Sequence, residues 1–177
     1  MPQDQLRPPK KVLKFIIVTG TPATGKTNMS KKLSLSLGYE YIDVNKLVKK
    51  HHIYDSIDKK RDSLVVDTDK LNKFLIILLK KAKECLIIDS HLSHFLPSKY
   101  VDLCIVCKCN LKTLQKRLTR RNYSLSKVRE NLDAEIFDIC LRESEQLDHT
   151  IFVADCTSKS SLNKSLHSIR TLIKSSF

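Results

Sequence analysis

Glycine is nearly missing from this chain: there are three in 177 residues, and two of them stand in the eight-residue stretch GTPATGKT, Gly20 to Thr27. Long apolar runs are missing too. The polar, proline-bearing MPQDQLRPPKK leads into VLKFIIV, which is too short for a signal-peptide core or a membrane span, so an intracellular soluble protein is expected. Acidic residues are scarce beside basic ones, 19 against 32, and the net charge of +13 favours polyanionic partners: nucleotides, RNA or a ribonucleoprotein. A solvated lysine-rich surface accounts for the same charge. Paired metal-ligand cysteines are absent as well. Cys104, Cys107 and Cys109 fall in a segment that reads as a strand, where alternation sends 104 and 107 to opposite faces, and no second pair completes a four-ligand site. The six cysteines lie mostly in apolar segments, as thiols of a reducing compartment do. No internal repeat is visible.

What is present is one domain's worth of chain, 41% hydrophobic and able to bury a core unaided. Apolar runs of strand length recur at Phe15 to Thr19, Tyr39 to Asp43, Leu86 to Asp89, Leu103 to Cys107 and Ile151 to Ala154, with helix-period segments between them. That alternation predicts an α/β fold: a five-stranded parallel sheet flanked by helices. A helix is expected from Asn28 to a left-handed stop at Gly38, burying Met29, Leu33 and Leu37. A second is expected over Thr68 to Lys83. Asn110 is placed to cap a third, and Ser126 a fourth that runs through Val128, Leu132, Ile136 and Ile139; the last begins near Ser161.

GTPATGKT fits the phosphate-loop pattern G-x-x-x-x-G-K-[ST] in its confirming context, a buried strand before and a helix after. Successive backbone N–H groups curl around phosphate oxygens at a helix N-terminus, whose dipole favours negative charge. Lys26 can reach the β and γ phosphates, and Thr27 can ligate Mg²⁺. Kinases, switches, motors and assembly factors share this loop. Asp89 ends a buried strand on the side where open α/β sheets bind ligands, and can hold Mg²⁺ through water. His91, two residues on, can orient or deprotonate a water or an acceptor; hydrogen bonding to a loop backbone is the equal alternative, and His94 is read as structural. Arg117 and Arg121 share a helix face at i and i+4, as two guanidiniums closing over a phosphoryl group would, or as a solvated or RNA-contacting face would. Asn122 tolerates a left-handed turn.

GTPATGKT, IYDSIDKKRDSLVVDTDKL, IIDSHLSHFLP, RLTRRNYSLSKVRENLDAEIFD and the terminal helix together resemble the adenylate kinase isoenzyme 6 family, also described as a ribosome-maturation ATPase of eukaryotes and archaea. The resemblance spans roughly Phe15 to Ile173, and Asp89-x-His91 is its most discriminating element. It implies a P-loop NTPase of nucleoside monophosphate kinase type. The division would be a basic flexible tail at 1–14, core segments at 15–43, 71–116 and 137–177, a monophosphate-binding insert at 44–70 with Lys49, Tyr54, Asp55 and Asp67, and a lid at 117–136 with Tyr123 and Lys127. ATP would be held by Gly20, Ala23, Thr24, Gly25, Lys26, Thr27 and Asn28 with Arg117 and Arg121, and Mg²⁺ by Thr27 and, through water, Asp89. Catalysis would fall to Lys26, His91, Arg117 and Arg121.

The resemblance further implies AMP as acceptor, a monomer, and partners among the small-subunit platform proteins and pre-ribosomal RNA. Its setting would be the nucleus or cytoplasm of a eukaryote, or the cytoplasm of an archaeon. The sequence departs from the family pattern at three positions. Ala23 stands where the family often has Gly, at a permissive x position; Lys49 gives a point charge where Arg can offer a fork; Asn122 replaces the lid's usual Gly. The leading expectation is a Mg²⁺-dependent adenylate kinase, ATP plus AMP to two ADP, with accompanying ATPase activity. The second is an ATP-driven ribosome assembly factor with little kinase activity, and a kinase for a small hydroxyl metabolite on the same fold ranks last.

Overall fold

The computed structural model describes residues 13–58 and 63–175, so the expected tail lies almost wholly outside the described residues, as do 59–62 of the expected insert. Five parallel strands form one sheet: β1 (Phe15–Thr19), β2 (Glu40–Asp43), β5 (Leu86–Asp89), β6 (Leu103–Lys108) and β7 (Ile151–Asp155), in the order β2-β5-β1-β6-β7. The three middle strands are continuous apolar runs because both their faces are covered; Ile16, Ile17, Ile87, Ile88 and Ile105 have no exposed surface. The edge strands read differently. Glu40 is exposed on β2 and Val153 is 47% exposed on β7.

Alternation divides the core in two. Ile16, Val18, Ile87, Ile105 and Cys107 pack with Met29 and Leu33 of α1 (Lys26–Leu37) and with Leu162, Ile169 and Ile173 of α7 (Lys159–Ser175). On the other face Ile17, Ile88, Cys104 and Val106 meet Leu71, Leu75 and Leu79 of α3 (Thr68–Lys81). Each such fully buried aliphatic side chain contributes roughly 1.5–3 kcal/mol. Cys104 and Cys107 do face opposite ways. Gly38 ends α1 at φ 70, with its amide on Ser34 O, in the expected left-handed cap.

Between β2 and α3 lie α2 (Val44–Lys50) and an antiparallel hairpin, β3 (Ser56–Asp58) with β4 (Ser63–Val65). Strands of three residues carry too little periodicity to be legible in sequence. After β6 come α4 (Leu111–Arg120), capped by Asn110 as expected, then α5 (Leu125–Ile136) and α6 (Ile139–Gln146).

Several boundaries differ from expectation. The first helix starts at Lys26, not Asn28, because Gly25 at φ 125 turns the chain directly into it; α3 ends two residues early, and α7 starts at Lys159. The cap of α5 is Ser124, which accepts the Lys127 amide, whereas Ser126 sits inside the first turn and donates to Glu130. Ile136 and Ile139 do not face inward: Asp138 takes the left-handed conformation at φ 55, breaks the helix in two and leaves both isoleucines, with Phe137, exposed.

Candidate active site

The carboxyl ends of β1 and β5 meet at the site. Val18 registers with Asp89, and one residue past β1 the chain enters the phosphate loop. Gly20 is obligatory there: at φ 135, a Cβ would lie 2.3 Å from the carbonyl oxygen of Cys107 on the adjacent β6. Ala23 holds φ 69, a left-handed conformation that costs an L residue roughly 1 kcal/mol, so this position is not indifferent to side chain as the sequence pattern suggests. Asn122 takes the left-handed turn expected of it, at φ 55.

Lys26 opens α1 and folds back over the loop, its Nζ donating to Gly20 O at 2.7 Å and Thr21 O at 2.9 Å. Burial pulls its pKa below the ordinary lysine value, against the opposing attraction of Asp89. Thr27 Oγ1 donates to Asp89 Oδ2 at 2.7 Å, and Asp89 is 5% exposed. These two hard oxygen donors side by side are a donor set suited to Mg²⁺, which takes one or two protein oxygens and completes its shell with water and phosphate. Among the described residues, no three His, Cys, Asp or Glu side chains gather at metal-binding distance.

Tyr41, which sequence reasoning passed over, donates its hydroxyl to the same Asp89 oxygen at 2.9 Å, and burial together with that carboxylate drives its pKa well above the ordinary phenol value. No local signal could have found it, since the contact joins strands 48 residues apart.

His91 borders the open space beside Asp89 and is an exposed residue. The surrounding walls withdraw water from it, and Lys26, His94 and Lys127 add their charge, pushing its pKa down to about 4, so the imidazole is neutral at pH 7. His94 is structural in the sense expected: it is buried, with Nδ1 paired to Thr19 Oγ1 at 2.7 Å and Nε2 to Glu143 Oε2 at 2.8 Å.

The two arginines share a helix flank but not a setting. Arg117 Nη1 donates to Thr24 O at 2.7 Å, and its Nη2 to the carbonyls of Cys156 and Thr157, both at 2.9 Å; it ties the phosphate loop to the turn after β7. Among the described residues none hydrogen-bonds the guanidinium of Arg121, which lines the open space.

That space consists of two cavities meeting over the loop. The larger, about 700 Å³, is walled by Lys26, Thr27, Asp89 and His91 and extends past Lys49, Ile57 and Leu64 on one side and Tyr123 and Lys127 on the other. The smaller, about 590 Å³, runs between Arg117, Arg120 and the Cys156 to Lys159 turn. Ala23, Gly25, Asn28 and Arg121 border both. Lys127 lies 4.2 Å from the centre of the Tyr123 ring. Of the insert residues singled out in sequence, Lys49 reaches the cavity, while Asp67 caps α3 and Asp55 pairs with Lys70 at its exposed end. Tyr54 directs its hydroxyl toward His52. No helix among the described residues is long and apolar enough to cross a membrane.

A family model described as "AAA domain" matches residues 16–138. A Methanocaldococcus jannaschii protein named "Putative adenylate kinase" is 44% identical over 130 residues, covering 73% of this chain and 71% of its own. A Caenorhabditis elegans protein named "Adenylate kinase isoenzyme 6 homolog" is 31% identical over 131 residues, covering 74% and 72%. Among solved structures, a shikimate kinase from Acinetobacter baumannii superposes with a TM-score of 0.61 at 14% identity over 92% of this chain and 94% of that one, a likeness of fold. With the loop, Asp89 and His91 arranged as described and relatives of that name along most of its length, the chain belongs to the adenylate kinase isoenzyme 6 family of P-loop enzymes.

Proposed function

We propose that the protein is a Mg²⁺-dependent adenylate kinase, converting ATP and AMP to two ADP, with an accompanying ATPase activity used in small ribosomal subunit maturation. The observation that supports the kinase reading is the pair of cavities that share Ala23, Gly25, Asn28 and Arg121 at one phosphate loop, an arrangement suited to two nucleotides whose phosphates meet near Lys26. ATP takes the smaller cavity beside Arg117 and Arg120, and AMP the larger beside Lys49. An oxygen of the AMP phosphate attacks the γ-phosphorus, the bond to the β-γ bridging oxygen breaks, and ADP leaves with that electron pair. Lys26 and Arg121 bear the developing charge, and Arg117 holds the loop that aligns it. Mg²⁺, held by Thr27 and Asp89, would neutralise phosphate charge. A neutral His91 is suited to accept a hydrogen bond from water, which supports the hydrolysis.

A coupled assay for ADP tests the reading: turnover should rise severalfold on adding AMP, and turnover indifferent to every nucleoside monophosphate would sink the kinase part. The ribosomal role rests on the family and on the +13 charge, and co-sedimentation with pre-ribosomal particles checks it. A bisubstrate analogue of two adenosines joined by five phosphates should fill both cavities at once; occupation of one alone would favour a small-metabolite kinase.

A further inference from the structure

Glu135 lies in the last turn of α5 and is 6% exposed, an unusual place for a carboxylate, and it does not border either cavity. Its two oxygens bind different parts of the fold. Oε2 accepts from Thr21 Oγ1 at 2.6 Å, inside the phosphate loop, and Oε1 accepts from the Cys109 amide at 2.9 Å, just past β6. Thr21 is itself a junction, since its carbonyl accepts from Thr24 Oγ1 at 2.8 Å and from Lys26 Nζ at 2.9 Å. Near the other end of the same helix Lys127, and midway along it Asn131, line the large cavity, and residues 127, 131 and 135 fall at i, i+4 and i+8 on one face. A charge-assisted bond at the base of a rigid lever fixes the lever's far end.

We propose that Glu135 is a positioning residue that couples the orientation of α5, and with it Lys127, to the geometry of the phosphate loop. A carboxylate that only filled space would need no hydroxyl from the loop. The coupling acts through Thr21 on Lys26, so it bears on the phosphoryl-transfer step more than on acceptor binding. The activity readout rests on the kinase reading above.

Glu135→Gln, Thr21→Val and Thr21→Ser, with Lys127→Met alone and combined with Glu135→Gln, test this by steady-state kinetics and thermal melts. Glu135→Gln and Thr21→Val should each lower kcat about tenfold while the KM for AMP changes by less than about twofold, and Thr21→Ser, which keeps the hydroxyl, should lose less than about a third as much kcat as Thr21→Val. The loss caused by Lys127→Met should shrink at least about threefold in the Glu135→Gln background. Additive losses, or melting points that fall with kcat intact, would overturn the proposal. Where Glu135→Gln fails to fold, the Thr21 pair decides: equal kcat for Val and Ser overturns it. Should wild type fail to phosphorylate AMP, the kinase reading falls, and the coupling is then read by hydrogen exchange. Glu135→Gln or Thr21→Val must speed exchange in residues 20–27 and 123–131 together, and acceleration confined to the last turn of α5, or none, overturns it.

Discussion

The cavity floor and its rim are built by opposite means. At and beneath the floor, Thr21, Thr24, Lys26, Arg117 and Glu135 join one another through loop carbonyls and buried or half-buried hydrogen bonds, and Gly20 is pressed against β6. At the rim, Ile57 is 57% exposed, the hairpin strands are three residues long, and the ion pair of Asp55 with Lys70 lies in solvent where such pairs add little. The difference follows what each must hold. On the kinase reading proposed above, the floor grips phosphates in one fixed geometry, which rewards a rigid cradle, whereas the rim must open and close over the acceptor.

Breaking the floor should therefore cost most. Lys26→Met should reduce ADP formation about 10²- to 10³-fold, with thermal melts run alongside to separate that loss from any effect of leaving the Gly20 and Thr21 carbonyls unmatched. Next, the two arginines should separate the regions. Arg117→Ala leaves loop carbonyls unmatched and should destabilise the fold by about 2–3 kcal/mol in urea melts, with Lys unable to restore its fork. Arg121→Ala should stay within about 0.5 kcal/mol of wild-type stability yet lose about tenfold in kcat. Equal stability losses would erase the contrast between floor and rim.

His91 gives a smaller and pH-resolved effect. His91→Ala should lower ATP hydrolysis by about tenfold or more, and wild-type hydrolysis should be level from pH 8 to near 6 and fall as pH approaches about 4. Its folded pKa lies below the ordinary histidine value, so protonation favours the unfolded chain. Its contribution to stability is complete above about pH 6.5 and is lost as pH falls toward 4, a slope that His91→Gln should remove. Smallest is Ala23→Gly, which relieves a left-handed alanine and should raise stability by up to about 1 kcal/mol; a loss would show that the loop needs alanine's stiffness.

The core strands were legible because burial on both faces writes itself as an unbroken apolar run, and the loop because phosphate binding demands glycine at fixed spacing. Asp89 was legible for the same reason, as a charge ending such a run. What escaped depends on contacts between distant segments. Tyr41 looks like any edge-strand tyrosine until β2 is laid beside β5, and Glu135 reads as one more helix carboxylate until α5 is folded against a threonine 114 residues away. Arg117 and Arg121 have equal helical spacing but unequal neighbours, which spacing cannot express. The break at Asp138 was hidden because Ile136 and Ile139 continue the helical period across it, although tertiary packing leaves both outside.

The phenol of Tyr41, bonded to Asp89, gives the site an optical consequence. The chain contains no tryptophan and only five tyrosines, so tyrosine emission is not swamped by indole, and two of the five stand at the working end of the molecule: Tyr41 on the carboxylate and Tyr123 beneath Lys127. A carboxylate that accepts a phenol's proton bond quenches its fluorescence. Any event that draws Asp89 away from Tyr41 should therefore brighten the protein, so the unlabelled chain carries its own indicator of what happens at the end of β5.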